Sequence, residues 1–243
     1  MPASFRRSAL ILAAFALGGA VFLKAVADEP PLPPPRPSEP AVTRAPPSQQ
    51  APSQALGEGA AACLAKLTAA GASAETAPAP ASSVEGCGID APVRLSSLAV
   101  EGDAVSLPDR PLLACEFAAV LADYVRLIVA PLGQAMLHAK VAAIETGPGY
   151  ECRTQDRIAG AKISAHAKGL AVDFVAIGMA DKRRVLVERQ ASAQEASYLR
   201  ALRTAACGWF TTVLGPGSDA FHASNMHLDV ARHDSSGNYR ICE

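Results

Sequence analysis

Apolar positions change their spacing several times along the second half of the chain, and each change predicts an element. CEFAAVLADYVRLIVAPL (115–132) carries apolar residues at helical spacing and predicts the longest helix, stopping at Pro131, with its Ala, Leu, Val and Ile residues in the core. Glu58 to Ala70 predicts a shorter helix, and the Gly/Ala/Ser-rich stretch 71–83 a loop. GCGIDAPVRLSSL (86–98) reads as a turn followed by an extended segment. KVAAIETG (140–147) alternates loosely and ends at a Gly-Pro-Gly turn, so it predicts a strand. LAVDFVAI (170–177) is β-branched and bounded by turn signals, and predicts another. SAQEASYLRALRTAAC (192–207) predicts a helix with Ser192 as N-cap and Glu195 at the capping-box position. FTTVL (210–214) and MHLDVA (226–231) supply the last strands. Helices come first and strands follow, interrupted by one helix, without steady βα alternation. That order predicts an α+β fold with a small antiparallel sheet. No internal repeat is present.

The N-terminal part has a different texture. Arg6 and Arg7 precede an apolar run from Ala9 to Leu23, followed by Ala25-Val26-Ala27. A basic start, an apolar centre and a small-x-small site make residues 1–27 a secretory signal peptide. The run is short against the roughly 20 apolar residues of a membrane span. An uncleaved inner-membrane anchor is the second reading, with Lys24 reaching the interface. Residues 28–55 follow as a linker, since ten of the chain's 19 prolines lie between Pro30 and Pro52. Such composition favours extended polyproline conformations and cannot bury a core. It predicts a semi-rigid tether rather than a proline-rich ligand for a partner, and leaves residues 56–243 as the folded domain.

Composition narrows the function. Half of the 243 residues are apolar but only 5% are aromatic, so the core is expected to be mainly aliphatic. A net charge of -1 provides no electrostatic footprint for nucleic acid. Six cysteines, Cys63, Cys87, Cys115, Cys152, Cys207 and Cys242, suit an oxidising compartment and predict disulfides. No CxxC pair occurs, which argues against a cysteine zinc site. Six cysteines allow about 15 pairings. The favoured set is Cys63–Cys87, Cys115–Cys152 and Cys207–Cys242.

The candidate chemistry lies in SAHAKGLAVD (164–173). On one continuous helix, His166 and Asp173 would be about 10.5 Å apart, too far to share an ion at roughly 2.0–2.2 Å. They can share one only if Gly169 turns the chain and Asp173 sits inside the strand that follows. There, among Val172, Phe174 and Val175, a buried carboxylate needs a partner. A salt bridge would serve, and so would a metal. NMHLDVARH offers Asn225, His227 and Asp229 at alternate positions, on one face of a strand. His227 completes a His/Asp/His set with an open position, the ligand count of a catalytic zinc site. His138 and His233 have no such constellation and read as ordinary surface or loop residues.

Ser164-x-His166-x-x-Gly169-x-Ala171-x-Asp173 matches the SxHxxGxAxD signature of the LAS zinc peptidases, the D-alanyl-D-alanine carboxypeptidases, dipeptidases and murein endopeptidases. More closely, the chain from about Cys63 onward resembles the bacterial extensin-like C-terminal domain family, a relative of that group. GCGIDAPV, the Cys152-Arg153 pair, TTVLGPGSDAFH, HLD and the closing YRICE carry this likeness. The extensin label implies no plant cell-wall role.

The resemblance implies a LAS/hedgehog-like peptidase fold, with His166, Asp173 and His227 holding Zn2+. It also implies that Arg153 faces a substrate carbonyl or carboxylate and stabilises a developing oxyanion. The rival role for Arg153 is a surface charge beside a disulfide. Ser164 is expected to hydrogen-bond within the loop or to a ligand, and Asp229 to orient His227 or support the strand edge. One departure concerns proton transfer. Relatives carry HxH or ExxWH around the last ligand, whereas Asn225 and Ala223 occupy those positions here. An amide accepts no proton, so His222 is the candidate catalytic substitute and Glu151 a more distant one.

These readings predict a periplasmic zinc peptidase acting on peptidoglycan peptides, tethered to the inner membrane if its N-terminal segment stays in place. The alternative is a catalytically weak or inactive zinc-binding module that grips peptidoglycan or a protein partner in the envelope. A purely structural envelope protein is third, because it leaves the carboxylate in a strand unexplained.

Overall fold

The computed structural model describes residues 52–243. The expected signal segment and all of the expected linker before Pro52 lie outside the described residues. The linker's last residues instead open a helix, α1 (Pro52–Ala69), which starts earlier than the polar pattern suggested.

Ten strands build the sheet: β1 (Ala72–Thr76), β2 (Pro92–Val100), β3 (Asp103–Ser106), β4 (Leu112–Ala114), β5 (Val141–Thr146), β6 (Ala171–Met179), β7 (Arg184–Leu186), β8 (Thr212–Leu214), β9 (Met226–Asp229) and β10 (Ile241–Cys242). Their order is β1-β2-β3-β5-β6-β9-β8-β10, with β4 pairing with β2 and β7 with β6. The class is α+β as expected, but the sheet is neither small nor wholly antiparallel. β3 runs parallel to β5, and β10 parallel to β8. Several added strands are two to five residues long and carry too little periodicity to stand out. β1 lies inside the stretch expected to be a loop, because its alanines and serine pair with β2.

The expected long helix is present but does not stop at Pro131. It runs as α2 (Cys115–Tyr124), a π-helical turn at Val125–Val129, and α3 (Ala130–Leu137). Proline lacks an N–H and its ring crowds the preceding turn. The π turn accommodates it, since the Ala130 N–H reaches back five residues to the Val125 carbonyl. The last helix, α4 (Ala193–Ala206), is capped as its sequence suggests. Ser192 Oγ accepts from the Glu195 N–H at 3.1 Å, while Glu195 reaches back to the Ala191 N–H at 2.7 Å.

Between helices and sheet, the expectation of an aliphatic core holds only in part. Phe117, Tyr124, Phe174, Tyr198 and Phe210 are all fully buried. Tyr124 packs edge-on against Phe210 with ring centroids 5.1 Å apart. Both buried tyrosines satisfy their hydroxyls on helix carbonyls, Tyr124 on Leu202 and Tyr198 on Val129. Phe117 and Tyr124 of α2 both pack against Phe210.

Three disulfides form, with one expected pairing correct. Cys207–Cys242 ties the end of α4 to β10. The others are Cys63–Cys115 and Cys87–Cys152, not Cys63–Cys87 and Cys115–Cys152. Sequence neighbours are not spatial neighbours here. Cys63 on α1 meets the start of α2, and Cys87 meets Cys152 through a contact that exists only once the sheet has formed.

Candidate metal centre

The centre is assembled where β6 and β9 pair. Upstream of β6, Ser164 Oγ accepts from the His166 N–H at 3.3 Å and caps one 3-10 turn, Ala165–Lys168. Gly169 ends that turn at φ +65. A Cβ there would lie 2.7 Å from the Ala114 nitrogen, so both the conformation and the space demand glycine. The chain then enters β6, and Asp173 falls opposite His227 in the antiparallel register.

Three side chains converge. His166 Nε2 is 3.1 Å from His227 Nδ1 and 3.4 Å from Asp173 Oδ2, and His227 Nδ1 is 3.0 Å from Asp173 Oδ1. The outward nitrogens are engaged elsewhere. His166 Nδ1 lies 2.7 Å from the Gly149 carbonyl, which can only accept, so it carries the proton. His227 Nε2 donates to Asp229 Oδ2 at 3.0 Å. With the outer nitrogens so engaged, the two imidazoles in their neutral forms would turn two bare nitrogens toward one carboxylate. Three acceptors this close repel unless a positive charge lies among them. A proton satisfies part of the set; a metal ion satisfies all three at once. Ligands about 2.0–2.1 Å from a tetrahedral ion stand roughly 3.3–3.4 Å apart, close to the spacings found. The group could hold a metal ion.

Without an ion, the three groups balance charge among themselves. Burial pushes the Asp173 carboxyl up, but hydrogen bonds and charge from His166 and His227 outweigh it and hold it well below the usual carboxylate range. Burial works against the His227 imidazolium, yet Asp173 and Asp229 on its two sides push its pKa up to about 9. His166 is 2% exposed and His227 8%, while the Asp173 side chain keeps 22%, so the centre opens on the carboxylate side.

Supporting groups fix the geometry. Asp229 is itself held by the Ala231 N–H at 2.9 Å and the Thr211 hydroxyl at 3.2 Å. Of the two roles expected for it, orienting His227 is the one observed. Gly149 lies at φ +79, where a Cβ would meet the Leu112 carbonyl at 2.5 Å. Sequence reasoning missed it because a carbonyl ligand to a ring nitrogen leaves no side-chain signature.

The remaining candidates separate. Arg153 Nε donates to Glu151 Oε2 at 2.9 Å, and Arg157 reaches the same carboxylate at 2.6 Å. Burial pushes the Glu151 carboxyl up, but the two arginines outweigh this and hold it below its ordinary value. Arg153 hydrogen-bonds to none of the three converging residues, and Glu151 is taken up by arginines. His222, by contrast, is brought beside the group. Its ring is edge-on to His227 with centroids 5.5 Å apart, and its Nδ1 lies 2.8 Å from both oxygens of Asp219. The Phe221 and His222 backbone N–H groups donate to the same carboxylate. Asp219 thus fixes the orientation of the His222 ring through Nδ1. Asp219 is a site residue that sequence reasoning passed over, although DAFH at i, i+3 was legible. Asn225 Oδ1 is buried with no hydrogen-bond partner among the described residues. His233 bonds to Thr212 at 2.7 Å, and His138 ends α3; neither joins the centre.

A family model described as extensin-like protein C-terminus matches residues 61–243. No curated protein and no solved structure matches the chain.

Proposed function

The chain belongs to the extensin-like protein C-terminus family, and from that premise and the geometry above we propose that it is an exported zinc-dependent peptidase acting on peptidoglycan peptides. The observation that carries this reading is the convergence of His166 Nε2, Asp173 and His227 Nδ1, with both outer ring nitrogens already bound. Two imidazoles and one carboxylate with an open side are the donor set that suits catalytic zinc, and His166-x-x-Gly169-x-Ala171-x-Asp173 is the signature that the LAS peptidases share. The basic start, apolar run and disulfides support export to the periplasm. Among the described residues no helix is long and apolar enough to cross a membrane, so inner-membrane tethering would rest on the N-terminal segment.

Zinc, when bound, supplies a Lewis acid that polarises a carbonyl and makes water a nucleophile near neutral pH. The residues divide the remaining tasks. Gly149 and Asp229 hold the ligand rings in one tautomer. His222, oriented by Asp219, takes the proton from the attacking water and returns it to the departing amine. That replaces the base absent at Asn225. Arg153, released from Glu151 by a substrate carboxylate or carbonyl oxygen, would stabilise the developing negative charge.

Zinc content and hydrolysis of peptidoglycan stem and cross-linked peptides test this together. The expectation is about one zinc per chain, and cleavage abolished by chelator and by His166→Ala. Undiminished cleavage in His166→Ala would overturn the site. Asn225 favours a second reading, a zinc-binding module that holds murein peptides, or an envelope partner, without cutting them. Binding without cleavage in the wild type, with cleavage gained in Asn225→His, would decide for it.

A further inference from the structure

The turn that carries His166 lies between two irregular segments. On one side run residues 147–154. The Gly149 carbonyl accepts from His166 Nδ1, the Glu151 N–H donates to the His166 carbonyl at 3.2 Å, and the Arg153 carbonyl accepts from the Ser164 N–H at 3.0 Å. On the other side run residues 86–89. The Gly88 N–H donates to the Ala167 carbonyl at 2.8 Å, and the Ile89 side chain fills the space against Gly169. Cys87–Cys152 joins these two segments directly, across the turn between them. The other two disulfides tie α1 to α2 and α4 to β10, and neither joins the two segments that flank the turn.

Asp173 and His227 need no such clamp, because the β6–β9 ladder sets them opposite each other. His166 has no ladder. Its ring direction is set by a carbonyl on a loop that bonds to Leu112 through the Pro148 carbonyl and the Tyr150 N–H, and that Cys152 ties to residues 86–89. Both half-cystines are partly exposed, so the bond is open to exchange.

We propose, resting on the metal-centre reading, that the Cys87–Cys152 disulfide controls the metal affinity of the centre, so that the site matures by oxidation. The step is thiol–disulfide exchange. The Cys87 and Cys152 thiols give up two electrons and two protons to form one S–S bond. A disulfide of the oxidising compartment accepts them and leaves as two thiols. With the bond formed, Gly149 holds His166 Nε2 toward Asp173 and His227. With it reduced, residues 147–154 lose their tie to residues 86–89, and the direction of His166 rests on backbone hydrogen bonds alone, so it is held less firmly. The coupling confines metal loading to the compartment where the bond persists.

The test measures zinc affinity by chelator competition for the full chain, for C87S/C152S and for C207S/C242S. Loss of a group that orients a ligand typically weakens metal binding about 10–100-fold. C87S/C152S is expected to fall in that range, with C207S/C242S unchanged. Equal affinity in C87S/C152S and wild type overturns the proposal while leaving the metal centre standing. Absence of zinc from the oxidised wild type overturns the metal-centre reading and this one with it.

Should C87S/C152S fail to fold, the intact protein decides through reciprocity. Zinc must stabilise the disulfide by the same factor by which the disulfide strengthens zinc binding. In glutathione buffers, saturating zinc is expected to shift half-reduction of Cys87–Cys152 to more reducing conditions, with Cys207–Cys242 unmoved, each followed by thiol trapping and peptide mass. No shift overturns the coupling.

Discussion

Asp173 Oδ1 lies 3.0 Å from His227 Nδ1, directly across the β6–β9 pairing, and the far side of the same ring is bound to Asp229. One imidazole thus stands between two carboxylates. The arrangement makes the His227 imidazole basic, and would make it an electron-rich donor to the proposed metal; the predictions follow from that double character.

Asp229→Asn should weaken zinc binding about 10–100-fold without unfolding the protein. The amide keeps the size of the side chain but no longer holds His227 in a single tautomer. Zinc competition beside thermal denaturation separates the two effects. Unchanged affinity would reduce Asp229 to a support for the strand edge.

Zinc affinity should rise with pH. In the metal-free centre His227 has its pKa pushed up to about 9, so at neutral pH a proton occupies the place the metal needs. Binding must release it, and affinity should climb roughly tenfold per pH unit until it levels above about pH 9. The same raised pKa stabilises the metal-free fold below the ordinary His value near 6.5, and that contribution is lost as pH rises through about 9. Calorimetry in buffers of different ionisation enthalpy counts the released proton. A flat affinity between pH 7 and 9 would contradict the charged His227.

His222→Ala should lower peptide hydrolysis by about 10²–10⁴-fold at unchanged zinc content. Asp219→Asn should produce a smaller fall, since the ring remains but loses its orienting carboxylate. Single-turnover rates beside metal analysis test both. Loss of zinc in His222→Ala would instead make that residue a ligand.

Gly169→Ala should destabilise the fold and the centre together. It puts a side chain at φ +65 and within 2.7 Å of the Ala114 nitrogen, a strain of order 1–3 kcal/mol. A matching change at Gly59, where an added Cβ would meet nothing within 4 Å, should be harmless by comparison. Urea denaturation of the pair provides the contrast.

Much of this architecture was readable one element at a time. The β-branched run around Asp173, the capped helix at Ser192 and the turn at Gly169 each announce themselves through local physics. The long helix did too, apart from its π turn, since nothing local says that a helix will open to pass Pro131. β1, β4 and β10 escaped because strands of two to five residues exist only through their partners. The same reason explains the disulfides, where chain proximity suggested pairs that the sheet does not bring together.

By itself the sequence determined the α+β class, the breaks that let His166 and Asp173 fold toward each other, and the His/Asp/His donor set. These depend on residue type, spacing and backbone preference, which act over a few neighbours. Only the tertiary structure decided which carbonyl holds His166, that the His222 rather than the Glu151 side chain stands beside the centre, and that Cys152 meets Cys87 across the turn that carries His166. Each of those joins residues far apart in the chain, and such contacts follow from how sheet and loops pack, which no local pattern encodes.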